Sequence, residues 1–516
     1  MSAFGQVLRA EFTKFRTVRG WVVATVAGAG VTILLGLLPG MQGSCGRNGP
    51  GSECEPPVGP GGEVVVDSFA FAHRPLTGDG SITVRVTSLS SRQPHPGPGP
   101  GPDEPRPAVV PWSKAGLMLK VGTAQGSSYT AVMVTGGHGV RMQYDYTHDR
   151  AGAPGAVSAG TPRWLRLTRA GDTVTAAESP DGTTWATVGS VRLAGLPPTV
   201  EAGLFTTSPQ YAERIGGSLG AGAMGGPTEA TGTFDHLLVR GAAHPADASG
   251  QAARPEWAGE NVGVPGPAPQ VPGGDLERAG GVFTMTGSGD IGPAVAGAAG
   301  IGVSLAQTLV GTFVLLLVVT VVSTGFITAE YRRGLIRTTL AASPRRGRLL
   351  AAKAVVVGAV AFAAGLPAAA VRVVSGQRVL RGNGVYVHPT STSTELRVIV
   401  GTAALLAGAA VLALGLGTLL RRGVTAVTTA VAVIVLPYLL AMTVLPDGAA
   451  RWLLRVSPAA AFALQQTATR YPQVANLYTP ADGYFPLAPW AGFGVLAGWA
   501  ALVLGLAAVL FGRRGA

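Results

Sequence analysis

The densest group of charged side chains in the sequence lies in residues 330–348. This stretch reads EYRRGLIRTTLAASPRRGR, one glutamate followed by six arginines. A helix here would place Leu335, Ile336 and Leu340 beside a cationic surface. Such an element can dock in a groove of an acidic protein partner or lie on anionic lipid. The charges alone favour the simpler alternative, a basic loop at a membrane surface that contacts only lipid.

The four lysines of the sequence are not placed for ATP hydrolysis. A P-loop requires the spacing Gly-x-x-x-x-Gly-Lys-Ser/Thr, and Lys14, Lys114, Lys120 and Lys353 all lie outside that setting. The histidines and cysteines also lack the spacing of a metal site. We therefore expect no catalytic residues, no cofactor and no metal in this chain, which would not be an enzyme.

Cys45 and Cys54 are the two cysteines of the sequence, with eight residues between them in a Gly/Pro-rich stretch. In an oxidising compartment this spacing favours a disulfide that closes a short loop. The alternative is a pair of free thiols.

The composition indicates a membrane protein with a water-exposed portion. Of 516 residues, 47% are hydrophobic and only 13% are charged, while 76 glycines and 38 prolines suit loops and turns. The net charge of +12 could suggest a nucleic-acid partner. However, the arginines cluster beside apolar runs, where they set membrane orientation, so we expect no nucleic acid.

Six apolar runs are each near the ~20 residues that a bilayer requires. They are residues 22–39, 303–328, 354–371, 398–420, 424–445 and 491–511. None of these runs contains Asp, Glu, Lys, Arg or His. Proton-coupled transporters need ionisable groups at membrane depth, so the runs argue against an antiporter.

The arginines beside these runs predict the topology. With both termini in the cytoplasm, the four main basic clusters lie on the inner side, although the outer loop 372–397 carries four arginines of its own. Along the chain we expect an interfacial helix (1–20), the first span (21–40), an extracellular portion (41–302), the second span (303–329) and a cytoplasmic loop (330–352). Spans three to six follow (353–516), with outer loops 372–397 and 446–490. Leu8, Phe12 and Phe15 recur at helical spacing and predict that the N-terminal helix lies on the inner leaflet.

Residues 62–241 predict an all-β antiparallel sandwich of the jelly-roll type. Short stretches alternate between apolar and polar residues, as in Ile82, Val84 and Val86, without helical periodicity between them. Linkers are expected at residues 41–61 and 242–302. The fold class is therefore six transmembrane helices with an inserted sandwich. Its aromatic residues Trp112, Tyr129 and Trp185 could stack on a sugar or fill the core.

Residues 330–348 resemble the loop through which permeases of the type-two ABC exporter family dock on their ATPase. That loop has the pattern E-Y-[RH]-x-G-x-[IL]-R-x-x-L-x-x-[ST]-P-x-R. Residues 8–17 also match the opening helix of the family, and residues 457–462 are a third, weaker match. The resemblance implies that residues 330–348 couple the spans to an ATPase, through Glu330, Tyr331, Arg332, Gly334, Arg337, Leu340, Ser343, Pro344 and Arg345. It also implies a separate ATPase subunit that carries ATP and Mg, and a permease pair that is a homodimer or a heterodimer.

The middle of the insert resembles concanavalin A-like and laminin-G-like domains. The residues that carry this likeness include 78–80, 114–118, 163–167 and 179–185. Such domains often bind glycans, so a cell-surface glycan is a candidate ligand. The main hypothesis is a plasma-membrane exporter permease for a lipidic, amphiphilic or drug-like compound. The alternative is a membrane-anchored glycan-binding or sensing protein.

Overall fold

The computed structural model describes residues 3–37, 56–93, 106–107, 110–217, 220–241, 257–264, 281–297, 301–332, 334–335 and 345–513. The expected disulfide between Cys45 and Cys54 lies outside these residues. The same holds for four of the residues expected to contact an ATPase: Arg337, Leu340, Ser343 and Pro344.

Helices occupy both ends of the chain. Within the described residues the α-helices are α1 (Ala3–Thr17), α2 (Arg19–Leu37), α3 (Thr312–Arg332), α4 (Arg346–Gly382), α5 (Thr392–Leu420), α6 (Gly423–Ile434), α7 (Leu436–Thr443), α8 (Asp447–Val456) and α9 (Pro489–Arg513). Short 3₁₀ helices cover Leu305–Leu309, Pro458–Gln465 and Pro480–Asp482. The most buried span is α5, which packs against α3, α4 and α9. Its many small residues let the neighbouring helices approach closely.

Five single helices in the described part of the chain are long and apolar enough to cross a membrane. They are α2, α3, α4, α5 and α9. Helices α6 and α7 meet the same criterion only together, as a pair bent by 42°. The break lies next to Pro437, which has no N–H to continue the helical hydrogen bonds. The expectation of one continuous helix over residues 424–445 is therefore corrected to a broken pair.

Two predicted spans also differ in their bounds. The second begins at Thr312 rather than at residue 303, because a 3₁₀ turn precedes it. The third belongs to a helix of 37 residues, which is about 55 Å long at 1.5 Å per residue. Charged residues lie within this longer helix, and Arg372 is only 1% exposed. Its guanidinium donates to the Thr312 hydroxyl at 2.9 Å and to the Thr308 carbonyl.

The portion between α2 and α3 is built from antiparallel strands. The strands are β1 (Val65–Asp67), β2 (Phe69–Thr77), β3 (Gly80–Gln93), β4 (Arg106–Pro107), β5 (Lys114–Lys120), β6 (Tyr129–Thr135), β7 (Val140–Tyr144), β8 (His148–Ala151), β9 (Arg163–Ala170), β10 (Thr173–Ser179), β11 (Ala186–Arg192), β12 (Thr199–Thr207), β13 (Tyr211–Gly217), β14 (Gly220–Gly226), β15 (Glu229–Gly241), β16 (Ala258–Val262), β17 (Val282–Ser288) and β18 (Ile291–Pro293).

Among the described strands, two seven-stranded sheets face each other. One sheet has the order β11-β10-β9-β3-β15-β17 with β4 beside β3, and the other has the order β16-β2-β12-β5-β6-β7-β8. Val84, Leu117 and Leu165 belong to the apolar core between them. The strands β16, β17 and β18 fall in residues 242–302, so this segment is not simply the expected linker. Two of them lie at sheet edges, next to β2 and β15, and the third pairs with β1.

Strand β5 shows why one sheet is buried on both faces. Leu117 and Leu119 point into the core between the sheets, whereas Lys114, Met118 and Lys120 point to the opposite face. All seven residues of β5 are buried. The second face is covered by the segments around β1 and β18, which supply Asp67 and Asp290 as partners for the two lysines.

Candidate functional site

The candidate site is an ion cluster formed by Glu11, Lys14, Glu330 and Lys353. Lys353 donates to Glu11 Oε2 at 2.6 Å and to Glu330 Oε1 at 2.7 Å. Lys14 donates to Glu11 Oε1 at 3.0 Å and to Glu330 Oε1 at 2.9 Å. Two ammonium groups thus hold two carboxylates. The cluster joins α1, the end of α3 and the beginning of α4.

The ion cluster is shielded from water at its centre. Lys353 is fully buried, Glu11 is 2% exposed and Glu330 is 6% exposed, whereas the Lys14 side chain is 41% exposed. The Lys353 ammonium also lies 4.5 Å from the centre of the Phe326 ring, where a cation–π contact adds to its stabilisation. A buried ion pair is not by itself a source of stability, but removal of one partner is costly.

Burial and hydrogen bonding act in opposite directions on Lys14. Burial lowers the pKa of its ammonium, but the hydrogen bonds that it donates to Glu330 and Glu11 outweigh burial and raise that pKa above its ordinary value. Lys14 therefore remains protonated throughout the physiological pH range.

Helix α1 is positioned by aromatic packing. The ring centre of Phe15 lies 5.9 Å from that of Trp21 in α2 and 5.9 Å from that of Phe326 in α3. Leu8 packs on the same apolar cluster. Phe12, on the same predicted face, is 48% exposed from the protein. The N-terminal helix is thus held against the spans by Phe15 and by the ion cluster.

The arginine-rich segment (residues 330–348) begins at the ion cluster. Glu330 belongs to the cluster, and the next residue, Tyr331, lies under the guanidinium of Arg421 at 5.3 Å. Arg332 and Arg345 are exposed. Gly334 has φ = +68°, a conformation that suits glycine, and, apart from its chain neighbours, no described residue has an atom within 4 Å of the position of a Cβ atom. Of the nine predicted coupling residues, these five are described.

The sequence analysis missed Glu11, Lys14 and Lys353 as parts of one site. A signal was present in the composition, because only 4 of the 39 basic residues are lysine. All four lysines form ion pairs in the structure, with Lys114 on Asp290 at 2.6 Å and Lys120 on Asp67 at 2.8 Å. A compact ammonium group suits a tight, buried site better than a planar guanidinium.

The three candidate sugar-stacking residues have protein groups against their rings. Trp112 stacks on His138 with 4.0 Å between ring centres, and the Arg166 guanidinium lies 3.7 Å from the Trp185 ring centre. Tyr129 is 1% exposed in the second apolar cluster of the sandwich. A sugar that stacked on the covered face of Trp112 or Trp185 would have to displace these partners. Among the described residues, no group of three or more His, Cys, Asp or Glu could hold a metal ion.

The apolar helices and the two sheets indicate a multi-pass membrane protein with a β-domain. The chain belongs to the ABC-2 family: the model described as "ABC-2 family transporter protein" matches residues 131–516, about three quarters of the sequence. It is accordingly a membrane-spanning permease subunit of an ABC transporter and not the ATPase. Permeases of this family typically work with an ATPase subunit.

Other comparisons add little to this assignment. No curated protein matches the chain. A crystal structure of a functionally unknown protein from Saccharomyces cerevisiae shows 15% identity and a TM-score of 0.18, and covers 26% of this chain and 62% of its own. Scytalido-glutamic peptidase with a transition-state analog inhibitor shows 13% identity and a TM-score of 0.24, and covers 43% of this chain and 98% of its own. Likenesses at such TM-scores carry no functional argument.

Proposed function

We propose that this chain is the permease of an ATP-driven exporter, worked through residues 330–348 by a separate ATPase that carries ATP and Mg. Two permeases and two ATPases would form the transporter. The proposal includes both termini in the cytoplasm and residues 41–302 outside the cell. The observation that carries it is the double attachment of Glu330 to Lys353 and Lys14.

This attachment explains how a force that the ATPase applies to residues 330–348 could move several helices at once. Helix α3 ends at Arg332, the third residue of the arginine-rich segment, and α4 begins at Arg346, near the end of that segment. The bond from Glu330 to Lys353 ties these two helices together, and Glu11 adds α1. Because separation of a buried ion pair costs about 3–5 kcal/mol, the three helices should move together rather than let the segment flex.

The polar residues of α3 favour an amphiphilic cargo. The hydroxyls of Thr320, Thr324 and Thr328 each donate to a carbonyl four residues earlier in the same helix. Thr320 and Thr324 are fully buried and Thr328 is 6% exposed. Leu317 and Val321, in contrast, are exposed on the same helix. The surface of α3 is therefore apolar. A lipidic, amphiphilic or drug-like compound suits such a surface.

The function is tested by capture of the ATPase on the tagged full chain. We expect the wild-type chain, purified from its native membrane, to retain a P-loop ATPase that hydrolyses ATP. Gly334→Val should reduce the retained ATPase about tenfold, because a β-branched residue at positive φ costs at least 1–2 kcal/mol. The matched control is Gly334→Asn, since asparagine tolerates this conformation.

Equal membrane levels of the two variants would show that both chains fold. Retention of the same amount of ATPase by Gly334→Val and Gly334→Asn would contradict the docking role of the segment. Failure of the wild-type chain to retain any P-loop ATPase would overturn the proposed function.

A further inference from the structure

A groove beside the ion cluster is large enough for a ligand. It has a volume of about 1220 Å³ and lies where α2 begins, α3 ends and α6 begins. We call it the basal groove. Lys14 and Glu330 reach its wall, but the larger part of the lining comes from α3, α6 and the turn before α6.

One end of the basal groove is cationic. Arg332 and Arg422 are exposed, and Arg421 is half-buried above Tyr331. Within the described residues, no carboxylate lies within 4 Å of these three guanidinium groups. The carboxylate of Glu330 also faces the groove, but Lys14 and Lys353 already pair with it. The arginines therefore leave an excess of positive charge at this end.

Apart from Lys14, Glu330 and four threonines, the rest of the basal groove is apolar. Val321 of α3 is 48% exposed and Val424 of α6 is 83% exposed. The hydroxyls of Thr328 and Thr428 are bonded to carbonyls of their own helices. From Arg332 to Val321 the wall rises 11 residues along α3, about 16 Å. The groove thus joins a cationic mouth to an apolar wall as long as a substantial part of an acyl chain.

We infer that the basal groove binds an anionic membrane amphiphile, with a phosphate-bearing headgroup on Arg421 and Arg422 and an acyl chain along α3 and α6. Guanidinium groups suit phosphate oxygens, and the apolar wall suits hydrocarbon. The inference rests on the proposed function in one respect, since it assigns this amphiphile as cargo at its point of entry from the inner leaflet.

Two other occupants fit the groove less well. An acidic peptide would bring backbone amides against a wall whose hydroxyls are already bonded, which leaves polar groups unsatisfied. A second copy of the chain, related by a two-fold axis, would bring the same arginines towards each other, and like charges repel.

Photo-labelling tests the inference. The purified full chain, without ATPase, is placed in vesicles of phosphatidylcholine with a small fraction of phosphatidylglycerol that carries a diazirine on its acyl chain. We expect labelled peptides from α3 and α6. Arg421→Gln with Arg422→Gln should reduce this labelling about thirtyfold, since each arginine near an anionic surface contributes about 1 kcal/mol and each 1.4 kcal/mol is a factor of ten. Val321→Trp should also reduce it, because the indole fills the groove.

The matched control is Arg9→Gln with Arg16→Gln, which removes two exposed charges from α1 without altering the groove. This variant should label like the wild type. Equal labelling by a diazirine phosphatidylcholine, full competition by soluble glycerol phosphate, or cross-links between two copies of α6 would each overturn the inference. Because the ATPase is absent, such a result would leave the capture test of the proposed function unaffected.

Discussion

Lys353 is a buried cation of the helical part that is fully paired. It is fully buried, and its ammonium contacts Glu11, Glu330 and the face of Phe326. Lys14 contacts the same two carboxylates from a position that is 41% exposed. The two lysines therefore form a matched pair with the same chemistry and different access to water.

Lys353→Met should destabilise the protein far more than Lys14→Met. The first change leaves two buried carboxylates with one partly exposed cation, at a cost of about 3–5 kcal/mol. Lys14→Met removes an ammonium group that is partly exposed to water, so it should cost about 1 kcal/mol or less. Unfolding in mixed micelles with increasing SDS measures both free energies.

Addition of Glu11→Gln to Lys353→Met should restore part of the loss, because it removes one of the uncompensated charges. If Lys353→Met unfolds at the same SDS fraction as Lys14→Met, the ion cluster does not hold the three helices together.

For single residues, the sequence indicated which residue was important but not which residues it would pair with. Glu330 was singled out because it matches the first residue of the coupling-loop pattern. Its partners Lys14 and Lys353 lie 316 and 23 residues away, and no local periodicity links such positions. Only the scarcity of lysine marked them in advance.

Among the single elements, helix α4 is longer than the hydrocarbon core of a membrane is thick. Its 37 residues span about 55 Å, whereas the hydrocarbon core is about 30 Å thick. Its ends carry exposed arginines, Arg348 near one and Arg381 near the other. In the proposed topology the helix connects the arginine-rich segment directly with the outer surface.

Single cysteines at the two ends of α4 should be labelled from opposite sides. In a chain with Cys45→Ser and Cys54→Ser, we expect Arg381→Cys to react with a membrane-impermeant maleimide on intact cells. Arg348→Cys should react only after permeabilisation. The reverse pattern would invert the proposed topology and place the arginine-rich segment outside the cell.

The spans were largely predictable because hydrocarbon demands about 20 apolar residues in a row. Their ends were not, since a helix can continue through arginines once it leaves the hydrocarbon. The break between α6 and α7 had a visible cause in Pro437. It was missed because hydropathy alone does not register a lost hydrogen-bond donor.

In the molecule as a whole, hydrogen bonds join the β-domain to the loop before α9. Asn476 donates to the Ala296 carbonyl at 2.8 Å, and the Tyr484 hydroxyl donates to the same oxygen at 3.2 Å. Gln473 donates to the Thr147 carbonyl at 3.0 Å. The loop before α9 thus holds the β-domain near the point where the chain returns to the spans.

Asn476→Ala combined with Tyr484→Phe should loosen this junction. Loss of both donors to one buried carbonyl, each worth about 1 kcal/mol, should speed amide hydrogen exchange in residues 291–297 about tenfold or more. Thr479→Val is the control, because the Thr479 hydroxyl bonds to Asp482 within the same loop. Equal exchange in the two proteins would show that these bonds do not hold the domain.

The existence of the β-domain was predictable from alternating residues, but its extent was not. Strands β16 and β17 lie in Gly- and Pro-rich sequence that indicates a linker. They form because the edges of β2 and β15 offer unpaired backbone groups. Such an edge is visible only once the sheets are assembled.

The pairing of β1 with β18 has a consequence for the history of the chain. Val65 lies opposite Pro293, so the polypeptide leaves the β-domain beside the place where it entered. A module whose two ends are neighbours can be gained, lost or exchanged as a cassette without altering the distance between the helices on either side. A transporter of this design could thus acquire a new exterior while its interior machinery stayed as it was.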